Sequence, residues 1–249
     1  MSLDDQQLLQ YSRQIMLPQI DVVGQEKLLA AKVLVLGAGG LGCPALMYLA
    51  SSGIGNITVI DPDQIELSNL HRQLLFHPQH IGAAKATVAA QQLVALNDTC
   101  HVTAIDHLLD EQQLFELISS VDLIIEGTDN FAARHYHNQL CVRAAKPLVS
   151  GAVIRMEGQV TCFDVSQPNS PCYACLYPDA HDEPLNCAEN GVLPSVAGII
   201  ASTMVTESIK LITGVGESLV GRLLILDAAH MEWRCLRLTR DNDCQVCQR

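Results

Sequence analysis

The fold of this chain is decided by the segment Val33-Leu-Val-Leu-Gly37-Ala-Gly-Gly40-Leu-Gly42. A short apolar run leads directly into a Gly-x-Gly-x-x-Gly pattern, and an apolar helical stretch follows it. Glycine permits a tight turn between strand and helix, and it lets backbone amides approach a phosphate at the positive end of the helix. The segment therefore predicts the first strand, loop and helix of a nucleotide-binding α/β domain.

Strand-like and helical stretches alternate along the rest of the chain. This alternation is typical of a parallel sheet with helices on both faces. After Gly151 the order changes, and we expect a C-terminal antiparallel region. The predicted strands cover residues 33–36, 57–60, 102–105, 123–125, 147–149, 158–163, 223–226 and 233–238, and the predicted helices cover 41–52, 83–96, 111–119, 131–145 and 195–212. Two amphipathic helices precede the sheet, around residues 5–16 and 24–31.

The composition is that of a globular protein. The chain has 249 residues, of which 49% are hydrophobic and 17% charged, and its net charge is −12. Such a chain can bury a large core, which excludes a disordered or collagen-like protein. The acidic balance argues against sequence-independent binding of nucleic acid or of an anionic membrane, because both require a basic face. One domain over residues 1–249 is the simplest organisation.

The N-terminal residues predict the cellular compartment. Residues 1–10 are polar and acidic, unlike a signal peptide, so the ten cysteines favour a reducing cytoplasm over disulfides. The uncharged stretch 33–60 imitates a membrane span in composition, but six glycines and Pro44 divide it into strand, loop, helix and strand. We therefore expect a cytoplasmic protein with no membrane partner.

Asp61 ends the second predicted strand, where a carboxylate can accept hydrogen bonds from ribose hydroxyls. Together with Gly37, Gly39 and Gly40, it predicts a nucleotide site, the alternative being glycines that serve only the packing of a tight turn. NAD is the usual ligand of this pattern. The sequence has no Gly-x-x-x-x-Gly-Lys-Ser/Thr loop, so the cations for a triphosphate would have to come from elsewhere.

Basic residues are scarce in the first half of the chain, where fifteen acidic but only five basic residues precede Arg134. Arg72 follows the second strand in Ser68-Asn69-Leu-His-Arg72, at the rim where α/β sheets bind ligands, and Lys85 begins the next helix. A solvated surface charge is the alternative for each. Position favours ligand binding for Arg72 and Lys85 and decides nothing for Arg13.

A carboxylate also follows the fourth predicted strand, in Glu126-Gly-Thr-Asp129-Asn130. Asp129 would lie on the same rim as Asp61, where it could hold Mg²⁺ against phosphate oxygens. Asp and Asn are also good helix N-caps, and a helix is predicted from residue 131. The residues alone leave the two roles of Asp129 open.

Two Cys-x-x-Cys pairs, Cys172-Tyr-Ala-Cys175 and Cys244-Gln-Val-Cys247, lie far apart in the chain. Four thiolates at this local spacing can surround Zn²⁺ tetrahedrally, and a filled Cys₄ shell leaves no position for substrate. Each pair alone could instead be a redox motif. Two matching pairs in a reducing compartment favour a structural zinc site that ties the C-terminus to residues near 172.

Cys187 lies outside both pairs, in a polar surface loop predicted over residues 177–190. An exposed cysteine in such a loop can act as a nucleophile, although no nearby base is identifiable. The other five cysteines fall in apolar segments, and we expect them to be buried: Cys43, Cys100, Cys141, Cys162 and Cys235.

In this order, the segments resemble the ThiF and MoeB family of bacterial sulfur-carrier adenylyltransferases, relatives of the ubiquitin-activating enzymes. The resemblance runs from about Leu9 to Cys247. It rests on an ordered set of segments: Tyr11-Ser-Arg13, the glycine loop, Asp61, Leu67-Ser-Asn69-Leu-His-Arg72-Gln73, Lys85, Thr128-Asp129-Asn130 and the two cysteine pairs.

The resemblance implies an enzyme that uses ATP and Mg²⁺ to adenylate the C-terminal Gly-Gly end of a small ubiquitin-like sulfur carrier, releasing pyrophosphate. A sulfurtransferase would be a further partner. The resemblance also implies roles for the site residues. The glycine loop, Asp61 and Asn130 would hold the nucleotide, Asn69, Arg72 and Lys85 would contact its phosphates, Asp129 would organise magnesium, and Arg13 would reach in from the other subunit of a homodimer. Residues 1–31 would form N-terminal helices, 32–150 the nucleotide-binding half, and 151–249 the half that binds carrier and zinc.

Three segments bear on the pathway. Residues 150–159 resemble the molybdopterin enzymes, whereas Leu176-Tyr-Pro-Asp179 and Asn186-Cys187 resemble the thiamine enzymes, in which a matching cysteine takes part in sulfur transfer. We favour molybdopterin synthesis, with the thiamine carrier as the alternative. Outside this family, the alternatives are an NAD-dependent oxidoreductase, which would leave Arg72, Lys85 and Asp129 without a role, and a non-catalytic nucleotide-binding protein.

Overall fold

The computed structural model describes residues 3–178 and 190–248, which are organised around one eight-stranded sheet. Its order is β3-β2-β1-β4-β5-β6-β7-β8. The first five strands of that order are parallel, and β6, β7 and β8 add to them antiparallel. The strands are β1 (Lys32–Leu36), β2 (Asn56–Ile60), β3 (His101–Ile105), β4 (Leu123–Glu126), β5 (Leu148–Ile154), β6 (Glu157–Phe163), β7 (Arg222–Asp227) and β8 (Glu232–Arg237). The predicted fold class is confirmed.

Helices cover both faces of the parallel strands, and one apolar cluster lies on each face. The helices are α1 (Asp5–Gln10), α2 (Ser12–Ile15), α3 (Asp21–Ala30), α4 (Gly42–Ser51), α5 (Lys85–Leu96), α6 (Glu111–Ser120), α7 (Phe131–Ala144), α8 (Tyr173–Leu176) and α9 (Pro194–Thr213). The helix predicted over residues 5–16 is interrupted at Tyr11. That residue is buried and leaves the helical conformation with ψ near 10°.

The order of the strands determines where a ligand can bind. The chain passes from β1 outward through β2 to β3, and then crosses back to β4 on the other side of β1. Loops that leave β1 and β4 therefore diverge at the carboxyl edge of the sheet, which opens a crevice between them. The two loops are joined at their start, because the Gly127 amide donates a 2.9 Å hydrogen bond to the Leu36 carbonyl.

Helix α9 is the one helix in the described part of the chain that is long and apolar enough to cross a membrane. Length and composition alone are weak support for such a span. In this structure α9 packs against β5, β6 and α4, with half of its most apolar window buried. It occupies the position of a core helix.

The expectation that Cys235 is buried is wrong. Cys43, Cys100, Cys141 and Cys162 are buried as predicted, but Cys235 is exposed. It lies on β8, the edge strand of the antiparallel region, where every residue is exposed. The apolar residues around Cys235 therefore mark a strand that no further layer covers within residues 3–178 and 190–248.

Candidate functional site

A cavity of about 720 Å³ opens at the carboxyl edge of the parallel strands. Its size is in the range of small-molecule and nucleotide sites. The cavity brings together residues from the loops after β1, β2 and β4 and from the start of α5. All the predicted nucleotide-site residues line it: Gly37, Gly39, Gly40, Asp61, Asn69, Arg72, Lys85, Asp129 and Asn130.

The glycines of the first loop have different surroundings. Gly37 has a φ of +92°, a backbone conformation that residues with a side chain rarely adopt. A Cβ on Gly42 would lie 1.9 Å from the Gly37 carbonyl oxygen, so that position can only be glycine in this turn. A Cβ on Gly39 would approach no atom closer than Gln73 Nε2, at 4.0 Å. Gly39 therefore leaves space in the cavity rather than in the core.

Asp61 holds this loop to the end of β2. Its carboxylate is buried and accepts hydrogen bonds from the Ala38 amide at 2.7 Å and the Asp63 amide at 2.9 Å. Burial raises the pKa of the Asp61 carboxyl, and the positive charge of Lys85 opposes that rise. The sequence predicted that the Asp61 carboxylate binds the ribose of a nucleotide. The structure adds that the same carboxylate fixes the glycine loop.

The two predicted cations, Lys85 and Arg72, face the cavity from different elements. Lys85 is buried, and its Nζ lies 2.8 Å from the Asp63 carboxylate. The Arg72 side chain crosses Gly40, where a Cβ would lie 3.3 Å from Arg72 Cδ, and its Nη1 donates to the Ser68 carbonyl at 2.9 Å. Asn69 shapes the same turn by accepting from the Glu66 amide at 3.1 Å. Lys85 and Arg72 thus place two positive charges beside the glycine loop.

The structure separates the two roles left open for Asp129. The N-cap of α7 is Asn130, whose side-chain oxygen accepts from the Ala133 amide at 2.7 Å. Asp129 is exposed and makes no hydrogen bond or ion pair within the described residues. Its carboxylate is therefore available to a ligand in the cavity. Magnesium at this carboxylate stays a prediction.

Sequence reasoning assigned no role to a polar network beside Asp129. Glu126, the last residue of β4, is completely buried, and its carboxylate accepts from the Thr128 amide at 2.9 Å and from His137 Nδ1 at 2.6 Å. Arg134 donates twice to the Thr128 carbonyl, at 3.1 and 2.6 Å. Burial alone would raise the pKa of Glu126, but His137, Thr128 and Arg134 hold that pKa below its usual range. The sequence signal that could have identified this network is a charged residue, Glu126, at the end of an otherwise apolar strand.

The two cysteine pairs form one cluster. The described sulfur–sulfur distances are 4.0 Å within the first pair, 3.7 Å from Cys172 to Cys244 and 3.4 Å from Cys175 to Cys247. A tetrahedral Zn²⁺ with bonds of about 2.3 Å would hold its sulfurs about 3.8 Å apart, whereas a disulfide bond is about 2.05 Å long. The four residues therefore fit a metal ion, and all are free thiols.

Arg13 and Cys187 are the predicted site residues that are left to consider. Arg13 lies on α2 and is exposed, and its Nη1 is 3.9 Å from Met16 Sδ. It does not line the cavity of its own subunit. Cys187 and most of the loop predicted over residues 177–190 lie outside the described residues. The roles of Arg13 and Cys187 stay predictions.

Comparison with known proteins agrees with this geometry. Molybdopterin-synthase adenylyltransferase of Escherichia coli (strain K12) is 42% identical over 245 residues, which is 98% of each chain. The adenylyltransferase and sulfurtransferase MOCS3 of Drosophila grimshawi is 40% identical over 248 residues, and the match covers 98% of this chain but 55% of that protein. The present chain thus spans about half the length of MOCS3.

Solved structures give the same result at the level of the fold. The E. coli MccB structure with ATP matches with a TM-score of 0.79 and 26% identity, over 91% of this chain and 68% of that one. Another E. coli MccB structure matches with a TM-score of 0.84 and 25% identity, over 96% of this chain and 72% of that one. The sequence model of the ThiF family matches residues 11–246. The chain therefore belongs to the ThiF family.

Proposed function

We propose that this protein is an ATP-dependent adenylyltransferase that activates the C-terminal glycine carboxylate of a small ubiquitin-like sulfur carrier for molybdopterin synthesis. The observation that carries the proposal is one cavity lined by the glycine loop, Asp61, the cations Arg72 and Lys85 and the available carboxylate of Asp129. The adenylyltransferase names of relatives at 40–42% identity support the reaction, and the name molybdopterin-synthase adenylyltransferase supports the pathway.

The reaction brings two negatively charged groups together, because the carboxylate of the carrier attacks the triphosphate of ATP. A carboxylate oxygen of the carrier bonds to the α-phosphorus of ATP, the bond from that phosphorus to the bridging oxygen breaks, and pyrophosphate leaves. Cations placed beside the phosphates stabilise the charge that develops on the leaving group more than they stabilise bound ATP. We assign this role to Arg72 and Lys85, since the rest of the first half of the chain is strongly acidic.

Other residues of the cavity position the nucleotide. The amides of the glycine loop lie at the start of α4, where they can bind phosphate oxygens, and Asp61 is placed to accept from the ribose. Asn69 contacts a phosphate, and Asn130 fixes the first turn of α7 beside it. Asp129 would hold Mg²⁺, which when bound supplies charge neutralisation to the phosphates. The cysteine cluster would hold a structural Zn²⁺.

The proposal includes the assembly in which the enzyme works. Residues 32–150 bind the nucleotide and residues 151–249 bind the carrier and zinc, within one domain that also includes the helices of residues 1–31. Two copies form a homodimer, and Arg13 of each copy enters the cavity of the other. A sulfurtransferase consumes the adenylated carrier in the cytoplasm, where thiols stay reduced.

Exchange of labelled pyrophosphate into ATP tests the reaction. Purified protein with Mg-ATP should exchange label only when a carrier ending in Gly-Gly is present. Arg72→Ala should lower that exchange by about 100-fold or more, since a positioned charge in the site is removed. The variant should keep its melting temperature, because Arg72 is partly exposed and packs mainly over Gly40.

Arg143→Ala is a matched control, because Arg143 forms an exposed ion pair with Glu111 away from the cavity. It should exchange label at the rate of the unchanged protein. Exchange that does not need a carrier, or an Arg72→Ala variant as active as Arg143→Ala, would contradict the proposal. Tight binding of NADH without binding of ATP would favour an oxidoreductase instead.

A further inference from the structure

The turn that presents Asp129 is held from two sides by side chains. Gly127, Thr128 and Asp129 connect the end of β4 to α7. On one side, Glu126 accepts from both the amide and the hydroxyl of Thr128, at 2.9 and 2.5 Å. On the other side, Arg134 donates two hydrogen bonds to the Thr128 carbonyl. The residue just before Asp129 is therefore fixed at its amide, its carbonyl and its side chain.

His137 is the remaining partner of Glu126. Its Nδ1 lies 2.6 Å from the Glu126 carboxylate oxygen that does not contact Thr128. The His137 side chain is 13% exposed and the Glu126 side chain is fully buried. A buried carboxylate without a partner would be strongly unfavourable, so His137 makes it possible for Glu126 to stay in this position. Both oxygens of the carboxylate are thus engaged.

Asp129 is different from its neighbours because nothing holds its own side chain. Its carboxylate has no hydrogen bond or ion pair in the described structure, and the following residue, Asn130, is engaged in capping α7. The position of the Asp129 carboxylate therefore depends on the backbone of the turn. A metal ligand has to be placed within a few tenths of an ångström of its productive position, and displacement weakens binding steeply.

We propose that Glu126 is a positioning residue that fixes the turn before Asp129 for magnesium-bound ATP, with His137 holding Glu126 in place. This inference rests on the proposed function, since it takes Asp129 as the magnesium ligand. Glu126 and His137 touch neither the metal nor the phosphates in this account. They act through Thr128.

Substitutions at Glu126 can separate geometry from charge. Gln at this position keeps an oxygen that accepts from Thr128 and an amide that can donate to His137 Nδ1 when that nitrogen is unprotonated. Ala removes every one of these bonds. Thr128→Val removes the hydroxyl bond and keeps the amide bond, so its effect should lie between those of the two Glu126 variants.

The measurement is the affinity for ATP with and without Mg²⁺, determined calorimetrically on the full chain without carrier. The ratio of the two affinities reports how well the metal is coupled to the nucleotide. We expect Glu126→Ala to lower this ratio about tenfold or more, since charged hydrogen bonds that hold the turn are lost. Glu126→Gln should keep the ratio within about threefold, and Asp129→Ala should remove most of the magnesium effect.

A remote histidine–carboxylate pair provides the control. His230 Nδ1 lies 3.0 Å from Asp227, at the end of β7 and away from the cavity. His230→Ala should leave the ratio unchanged. An unchanged ratio in Glu126→Ala, with only a lower melting temperature, would show a purely structural role and overturn the inference. Equal losses in Glu126→Gln and Glu126→Ala would overturn it too, because the charge rather than the geometry would then matter.

Two further results keep the test decisive. If Glu126→Ala does not fold, Thr128→Val must still lower the ratio, whereas Thr128→Ser, which retains the hydroxyl, must keep the ratio of the unchanged protein. Failure of either expectation would contradict the inference. Because no carrier is used, the binding experiment is independent of the acceptor. A protein that couples ATP to Mg²⁺ through Glu126 but adenylates no carrier would support the positioning role and contradict the proposed function.

Discussion

The glycines after β1 have identical side chains but different roles. Gly42 lies against the Gly37 carbonyl, and Gly40 lies under the Arg72 side chain, so both contribute to packing. Gly39 has no neighbour that a Cβ would crowd, although it lines the cavity. Packing within the described residues does not explain the absence of a side chain at residue 39, whereas the approach of a phosphate, as the proposed function requires, would explain it.

Alanine substitutions should separate these roles. Gly42→Ala should destabilise the protein by on the order of 3 kcal/mol or more, because its Cβ would overlap backbone that cannot move aside. Gly39→Ala should leave the melting temperature nearly unchanged and weaken ATP binding by about tenfold or more, since the new methyl group occupies phosphate space. Thermal melts and ATP titrations check both, and a stable Gly42→Ala protein would contradict the packing role.

Many residues that line the cavity could be predicted from the sequence, but the residues that hold them in position could not. Arg72, Lys85 and Asp129 were found because parallel strands end at a common edge, which brings distant residues to one rim. The partners of these residues could not be found that way. The bond between Glu126 and His137 depends on how a helix packs against a strand, and no spacing in the sequence determines that contact. Arg13 could not be placed because its proposed site is in another subunit.

Among the elements, the short helix α8 depends on residues distant in the chain. It is only four residues long, with Cys172 as its N-cap and Cys175 within its single turn. These cysteines pack against Cys244 and Cys247 near the C-terminus, in a small apolar cluster of their own. The residues after β8 form no helix or strand within the described chain, so the cluster is what holds them to α8.

A metal ion should therefore stabilise this corner of the protein. We expect about one Zn²⁺ per chain, and Cys172→Ala should lower both zinc content and melting temperature, because three ligands remain in a site built for four. Cys235→Ala is the control, since this exposed cysteine lies outside the cluster. Elemental analysis and thermal melts measure the two effects. A native protein that binds no metal yet loses no stability in Cys172→Ala would refute a structural zinc site.

The elements themselves were predicted well where apolar periodicity is strong. All eight predicted strands overlap observed strands, although β5 continues to Ile154, well beyond the predicted residues 147–149. The change to antiparallel pairing after β5 was expected from the changed order of elements. The burial of Cys235 on β8 was predicted wrongly, because the apolar segment around it suggested a covered position. A sequence pattern shows which residues are apolar, but the neighbouring layers decide whether they are buried.

At the scale of the whole molecule, the N-terminal segment suggests an interface. It exposes several large apolar side chains, among them Leu9 at 78%, Met16 at 70% and Val23 at 59%. Apolar groups clustered on one segment are typical of a contact with another protein surface. Arg13 lies among them and points to no acid in its own subunit within the described residues. This arrangement supports a homodimer in which Arg13 acts on the other copy.

Mixed dimers test this arrangement. Arg13→Ala and Asp129→Ala should each be inactive, but the two chains expressed together should regain about one quarter of the activity, because random pairing reunites one intact Arg13 with one intact Asp129 in that fraction of sites. Pyrophosphate exchange measures the recovery, and two different affinity tags identify the mixed dimers. If activity recovers neither in the mixture nor in the isolated mixed dimer, Arg13 does not act across the interface.

Intact-mass spectrometry of the carrier shows whether this protein attaches AMP to a carrier protein. The full chain is incubated with Mg-ATP and a purified carrier that ends in Gly-Gly, and the mass of the carrier is then determined. We expect a carrier heavier by one adenylyl group at its C-terminal glycine, with no such product when the carrier lacks that glycine or the enzyme carries Asp129→Ala. The proposed function would be wrong if the enzyme bound Mg-ATP but left every sulfur carrier of the molybdopterin and thiamine pathways unmodified.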